Sequence, residues 1–302
     1  MKMQSTDTVL MIMPHHFGSN QETLETNSFQ RQAITDSVSE KAKLEVLEVV
    51  RLLEGEGVNV MLIEDRKDIV CPDAVFPNNW LGIHPGGDVI TYPMLASNRR
   101  SERRDDIINT LTASSSERRL HDFSLAENEG KYLEGTGSLV FDHVRKIAFA
   151  AISPRTSKIL AQQVCDLLGY ELVSFNTSDK QGKPIYHTNV VLSIGSKFVV
   201  IAKDVIVESD REFILNRLIG EGRVVIEISE SQLECFAGNI LEIRNHADEK
   251  LIVISETALN SLNPIQISSI QKSGLLLMVS VPIIEQVGGG SVRCMLAEIF
   301  HD

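Results

Sequence analysis

Basic residues are scarce in this sequence. Lys and Arg number 29 against 41 Asp and Glu, a formal net charge of −12. Nucleic acid and anionic membrane surfaces both call for a basic face, so neither is an expected partner. Long apolar runs are missing as well. No stretch approaches the ~18–20 apolar residues of a membrane span. Residues 1–7 lack a signal-peptide layout, and the apolar run 9–13 is too short for an h-region. Cysteine is sparse: Cys71, Cys165, Cys235 and Cys294 lie far apart, with no CxxC. That usage fits free thiols in a reducing cytosol and not a disulfide framework, so a cytoplasmic location is the expectation. HExxH is absent, and His15-His16 and His84 lack metal-ligand spacing. The glycine run Gly288-Gly289-Gly290 has no GK[ST] ending and does not read as a phosphate loop. No metal and no cofactor is therefore expected.

What is present is a period. Hydrophobic residues make up 43% of the 302, ample for a large core. A small or polar cluster leads into an apolar, strand-like run five times. The clusters are Asn78-Asn79-Trp80, Glu134-Gly135-Thr136-Gly137-Ser138, His187-Thr188-Asn189, Phe236-Ala237-Gly238-Asn239 and Gly288-Gly289-Gly290-Ser291. Their starts at 78, 134, 187, 236 and 288 differ by 56, 53, 49 and 52. A fixed spacing near fifty points to one supersecondary unit repeated. Second strands read at 89–92, 147–151, 198–202 and 251–255. Helices follow at 156–168 and 210–219, stopped by Gly169 and Gly220. Further strands read at 171–175, 223–228 and 275–281. The order β-β-α-β, five times, predicts an α/β five-bladed propeller, with 1–302 as a single domain. Residues 101–120, rich in charge and serine, read as an exposed helix or a lid within the wider segment 95–125.

Equivalent strands around an axis would bring their leading residues together there. Glu134, His187 and the Cys294 region then supply a carboxylate, an imidazole and a thiol, the parts of a nucleophilic site. Taken one at a time, each has a plainer reading. Glu134 could cap a strand, His187 could be a satisfied core histidine, and Cys294 a buried structural thiol. Their matching positions in the repeat are what join them.

The ordered set of motifs resembles the pentein, or guanidino-group-modifying, superfamily. The resemblance runs from Pro14-His15-His16-Phe17-Gly18-Ser19-Asn20 to Cys294, nearly the whole chain. It implies a five-bladed ββαβ pseudo-symmetric propeller. It implies Cys294 as nucleophile, His187 as general acid and base, and Glu134 as the carboxylate orienting the histidine. Asp73, in Pro72-Asp73-Ala74-Val75-Phe76, would bind a substrate α-amino group. Arg155 and Arg99 or Arg100 would clamp its carboxylate, a task suited to the planar guanidinium fork.

Two departures bear on the substrate. Where many relatives hold acids for a guanidinium, this chain has Asn78-Asn79. Ser138 likewise stands where relatives often carry an acid. An uncompensated buried guanidinium is costly, whereas a ureido group pairs with amides. The subgroup most similar in this respect is that of the citrulline utilization hydrolases. The expected function is hydrolysis of a ureido or guanidino amino acid, citrulline first, to ornithine, ammonia and carbon dioxide through a covalent Cys294 intermediate. The alternatives are arginine deimination, methylarginine hydrolysis, amidino transfer, or a non-catalytic binding protein. The expected partner is a small amino acid, with a homodimer left open.

Overall fold

The structure, a computed structural model, describes residues 3–32, 37–220 and 222–301. Its strands form five three-stranded sheets. Four of them follow the chain. The first holds Leu81–Ile83, Asp88–Thr91 and Arg119–Asp122, and the second Val140–Asp142, Ile147–Ile152 and Glu171–Asn176. The third holds Leu192–Ile194, Phe198–Ile201 and Val224–Glu227, and the fourth Leu241–Arg244, Lys250–Ser255 and Leu275–Val279. In each, the first strand pairs antiparallel with the second, and the second parallel with the third. A parallel return needs a crossover, which a helix supplies. The fifth sheet is closed by both ends of the chain. Ala297–Glu298 pairs antiparallel with Thr8–Met13, which pairs in parallel with Asn59–Glu64 after the helix Val38–Gly55. The five-unit α/β architecture expected from the period is the one observed.

The sequence pattern explains the layers. Middle strands such as Phe-Val-Val-Ile at 198–201 are buried throughout and read as continuous apolar runs. Third strands alternate, as Glu171–Asn176 does, with one face packed and one wet. The helix Lys158–Leu168 buries Leu160, Ala161, Val164 and Cys165 on one stripe. Ser157 caps its start, and Gly169, at φ 72°, ends it. The other expected stop differs. Glu208–Leu218 ends through Ile219 in extended conformation, before Gly220 is reached.

Of the two readings of residues 101–120, an exposed helix or a lid, the structure shows the helix. These residues contain the first unit's own crossover helix, Asp105–Ala113, which buries Ile107, Ile108 and Leu111, and they run into its third strand. Most of the segment's charge sits outside that helix, on Glu102, Arg103 and Arg104 before it and Glu117, Arg118 and Arg119 after it.

The polar clusters become single turns ahead of each first strand. These are Pro77–Asn79, Gly135–Ser138, Thr188–Val191, the turn at 236–239 closed from Asn239 N to Phe236 O, and Val292–Met295. The turns pack against one another around the axis. Gly135 shows how tightly, since a Cβ there would lie 2.1 Å from the Asn78 carbonyl oxygen, at φ 46°. No helix among the described residues is long and apolar enough to cross a membrane.

Candidate active site

Five turns meeting at one axis leave a narrow cavity of about 10 Å3, room for about one water. Cys294, His187, Asp73, Asn79, Arg99 and Arg155 all line it. Its cover is residues 20–31 together with Gly288-Gly289-Gly290. Thr23 and Asn27 face in, Asn27 Nδ2 donates to Gly289 O at 3.1 Å, and Arg31 N donates to Gln286 O at 2.8 Å. Gly289 sits at φ 64°, with its carbonyl also accepting from Tyr186 Oη at 2.6 Å. The glycine run thus lets backbone pass close over the site.

Glu134 begins its turn fully buried. Its Oε2 lies 2.8 Å from His187 Nε2 and 3.4 Å from Arg155 Nη1. Its Oε1 accepts from Leu95 N at 3.2 Å. Burial alone would raise this carboxyl, but Arg155 and the His187 hydrogen bond hold it well below the usual carboxylate range. An ionised carboxylate only accepts, so His187 Nε2 carries the hydrogen and Nδ1 keeps its lone pair. Burial lowers His187 to about 4, so the ring is neutral at neutral pH.

Cys294 is 3% exposed, and burial raises its thiol. The resting pair is therefore neutral thiol and neutral imidazole. A pre-formed thiolate–imidazolium ion pair is not what this geometry favours. Two amides flank the sulfur: Asn239 Nδ2 at 3.3 Å and Asn189 Nδ2 at 3.6 Å. Asn239 Nδ2 also donates to Asn189 O at 3.1 Å, which fixes its orientation.

The charged groups are unequal. Arg99 gives Nε and Nη2 to Glu102 at 2.8 and 2.9 Å and Nη1 to Asn79 Oδ1 at 2.9 Å. Its fork is spent, so Arg99 is a structural node and not an open clamp. Arg155 donates to Thr26 Oγ1 at 2.7 Å and to Glu134, while its buried Nε has no partner. Asp73 Oδ2 accepts from Asn20 Nδ2 at 2.7 Å, its buried Oδ1 accepts nothing, and burial raises its pKa.

Four expected site residues do not line the cavity: Glu134, which reaches it through His187, and three others. Arg100 is turned to the Met94 and Leu95 carbonyls and to Glu127, which corrects its assignment as a clamp. Asn78 donates to Thr136 Oγ1 and accepts from Asn79. Ser138 Oγ accepts from Glu134 N and Thr156 Oγ1 and donates to Arg155 O, holding the turn that carries Glu134. Conversely, Glu102, Tyr186, Asn189, Asn239, Thr23 and Asn27 were not singled out from sequence. Asn189 and Asn239 occupy the repeated lead-in turns, a signal that was available. Thr23 and Asn27 lie outside the repeat.

Five such units with a Cys-His-Glu centre on the axis define a guanidino-group-modifying protein of the pentein superfamily. The family model for N,N dimethylarginine dimethylhydrolase, eukaryotic, matches residues 13–301, and the chain belongs to that family. It is a hydrolase acting on C–N bonds. No curated protein matches by sequence. Among solved structures, the substrate-bound N-terminal domain of ArgZ, an arginine dihydrolase from Cyanobacteria, has a TM-score of 0.76 at 16% identity, covering 97% of this chain and 98% of that one. A DDAH from Pseudomonas aeruginosa, complexed with citrulline, has a TM-score of 0.69 at 14% identity, covering 97% and 99%. Unliganded AgrE has a TM-score of 0.76 at 16% identity, and the chain spans 39% of it.

Proposed function

We propose that the chain hydrolyses the ureido group of a small amino acid, citrulline first. The observation that carries this reading is the orientation of Asn79. Arg99 can only donate, so the atom facing it at 2.9 Å is the amide oxygen. Nδ2 is left, bonded at 3.0 Å to Asn78 Oδ1 and holding a second hydrogen. Asn79 therefore has a donor to spare, while one lone pair of its oxygen is taken by Arg99. A ureido carbonyl can accept from that spare donor, which a guanidinium, a donor only, cannot. Asn189 and Asn239 add neutral amides beside the sulfur.

The chemistry follows from the tautomer. His187 Nδ1 takes the Cys294 proton, and the thiolate attacks the ureido carbon. The C–N bond to the ornithine nitrogen breaks, and the imidazolium protonates the leaving amine. Glu134 stabilises that imidazolium. Water deprotonated by His187 then attacks the S-carbamoyl group, the C–S bond breaks, and the thiol is restored. The released carbamate gives ammonia and carbon dioxide. Arg155 Nε and Asp73 Oδ1, both without partners, suit the substrate carboxylate and ammonium.

A second reading keeps the mechanism and changes the head group. Ionised Glu134 and the unpartnered Oδ1 of Asp73 favour a cation, which supports arginine or a methylarginine. A substrate panel of citrulline, arginine, methylarginines and agmatine, with ammonia and amine products resolved, separates the two. Citrulline turned over fastest supports the first reading. Arginine or methylarginine turned over faster moves the claim to the second.

A further inference from the structure

Behind the nucleophile, toward the other end of the axis, lies a second small cavity that the reaction does not use. It too measures about 10 Å3, and Gln4, His143, Glu242, Arg293 and Glu298 line it. Arg293 immediately precedes Cys294 in the same turn, yet its side chain lines this cavity while Cys294 lines the other. The guanidinium is buried, at 6% exposure, and its Nε has no hydrogen-bond partner. No carboxylate among the described residues comes within ion-pair distance of it. Its neighbours are otherwise engaged. Glu242 accepts from Ser5 Oγ, Ser196 N and Ser196 Oγ. His143 Nδ1 lies 2.7 Å from Tyr170 Oη, and burial keeps its ring neutral. Asp142, one residue before it, is taken by Arg145 and Arg223. Burying a charge without a partner is costly, so the position calls for a use of that charge.

We propose that Arg293 is a positioning residue that supports the Cys294 thiolate from behind, and that Glu298, across the same cavity, sets how much of its charge reaches the sulfur. The unneutralised guanidinium sits next to the nucleophile along the chain, in a medium where charges are weakly screened. Its field favours the thiolate, opposing the burial that raises the thiol. Glu298 is partly exposed and shares the cavity with one other acid, Glu242. Burial and Glu242 raise its carboxyl to about 7 against the pull of Arg293. Below that pH Glu298 is neutral and the support is full; above it the carboxylate offsets part of the guanidinium charge. The inference rests on Cys294 as nucleophile but not on which substrate it attacks.

The test is thiol titration without substrate. Ultraviolet thiolate absorbance against pH is measured as the difference between each protein and its Cys294→Ser counterpart. Iodoacetamide labelling of the Cys294 peptide gives a second readout. Arg293→Met should raise the titration midpoint by about one pH unit, a tenfold loss of thiolate. Arg293→Lys should restore most of it. Glu298→Gln should lower the midpoint and steepen the curve above neutrality. If Arg293→Met does not fold, the Lys and Gln variants still decide. Equal midpoints in wild type, Arg293→Lys and Glu298→Gln, with Arg293→Met unfolded or unshifted, would overturn the proposal and leave Arg293 structural. Loss of citrulline turnover alone would bear on the substrate reading and not on this one.

Discussion

The cavity has a charged half and a neutral half. Asp73, Arg99 and Arg155 line one side, backed by Glu102 and Glu134, all buried. Cys294 and Asn79 form the other, with the amides of Asn189 and Asn239 against the sulfur from outside the cavity lining. The charged half largely satisfies itself, through the Arg99–Glu102 fork and the Arg155–Glu134–His187 chain. What it leaves open is one guanidinium N–H and one carboxylate oxygen, enough to receive the two ends of an amino-acid backbone. The neutral half offers a reacting group no counter-ion. On this account the charged half holds the substrate and the neutral half selects its head group.

The sharpest way to break the comparison is at the sulfur. Cys294→Ser should abolish turnover with the fold intact, because serine is a weak nucleophile without a strong base. Single serine replacements of Cys71, Cys165 and Cys235 should keep activity. Normal turnover by the Cys294 variant, measured as ammonia release, would remove the nucleophile from the account.

Next comes the link between the halves. Glu134→Gln keeps the shape and removes the carboxylate that steadies the imidazolium. It should lower kcat by roughly two or more orders of magnitude. A loss of two- or threefold would make Glu134 structural. The same link fixes an acid limb. His187 sits below its ordinary value, so it gains a proton only as pH falls through about 4. Activity should hold as pH drops from 8 to 5.5, and kcat/KM should fall only below that. An acid limb near the ordinary histidine value of about 6.5 would contradict the buried, neutral ring.

Smaller effects test the charged half by itself. Arg155→Met should raise KM more than it lowers kcat, since it removes the open donor. Arg100→Met should change kcat/KM by less than about threefold and stability by about 1 kcal/mol or less, the worth of a partly exposed ion pair. A large KM effect at Arg100 would reverse the order found here.

The period of about fifty residues made the five units legible, because each unit must restart with a turn at the axis. It also marked Glu134, His187 and Cys294, which occupy those turns. Three things escaped it. Arg99 and Arg100 are neighbours of one residue type, and only the path of the short turn Asn98–Glu102 decides which is buried. Ser138 reads as a replaced acid, yet its hydroxyl works locally on the Glu134 turn. The cover at 20–31 belongs to no repeat, and the segment 101–120, read as an exposed helix or a lid, holds a crossover helix. Side-chain direction and long-range closure leave little trace in composition.

The most direct test of the neutral half is the ratio of kcat/KM for citrulline to that for arginine, in wild type and in Asn79→Asp. Asn78 is outside the cavity, so the single change suffices. The account predicts that wild type prefers citrulline. Asp at 79 should move the ratio toward arginine by roughly 1–3 kcal/mol, since a paired guanidinium gains what an unpaired one lost. A wild type that prefers arginine, or a ratio that Asn79→Asp leaves unchanged, would contradict the claim that uncharged amides choose the head group.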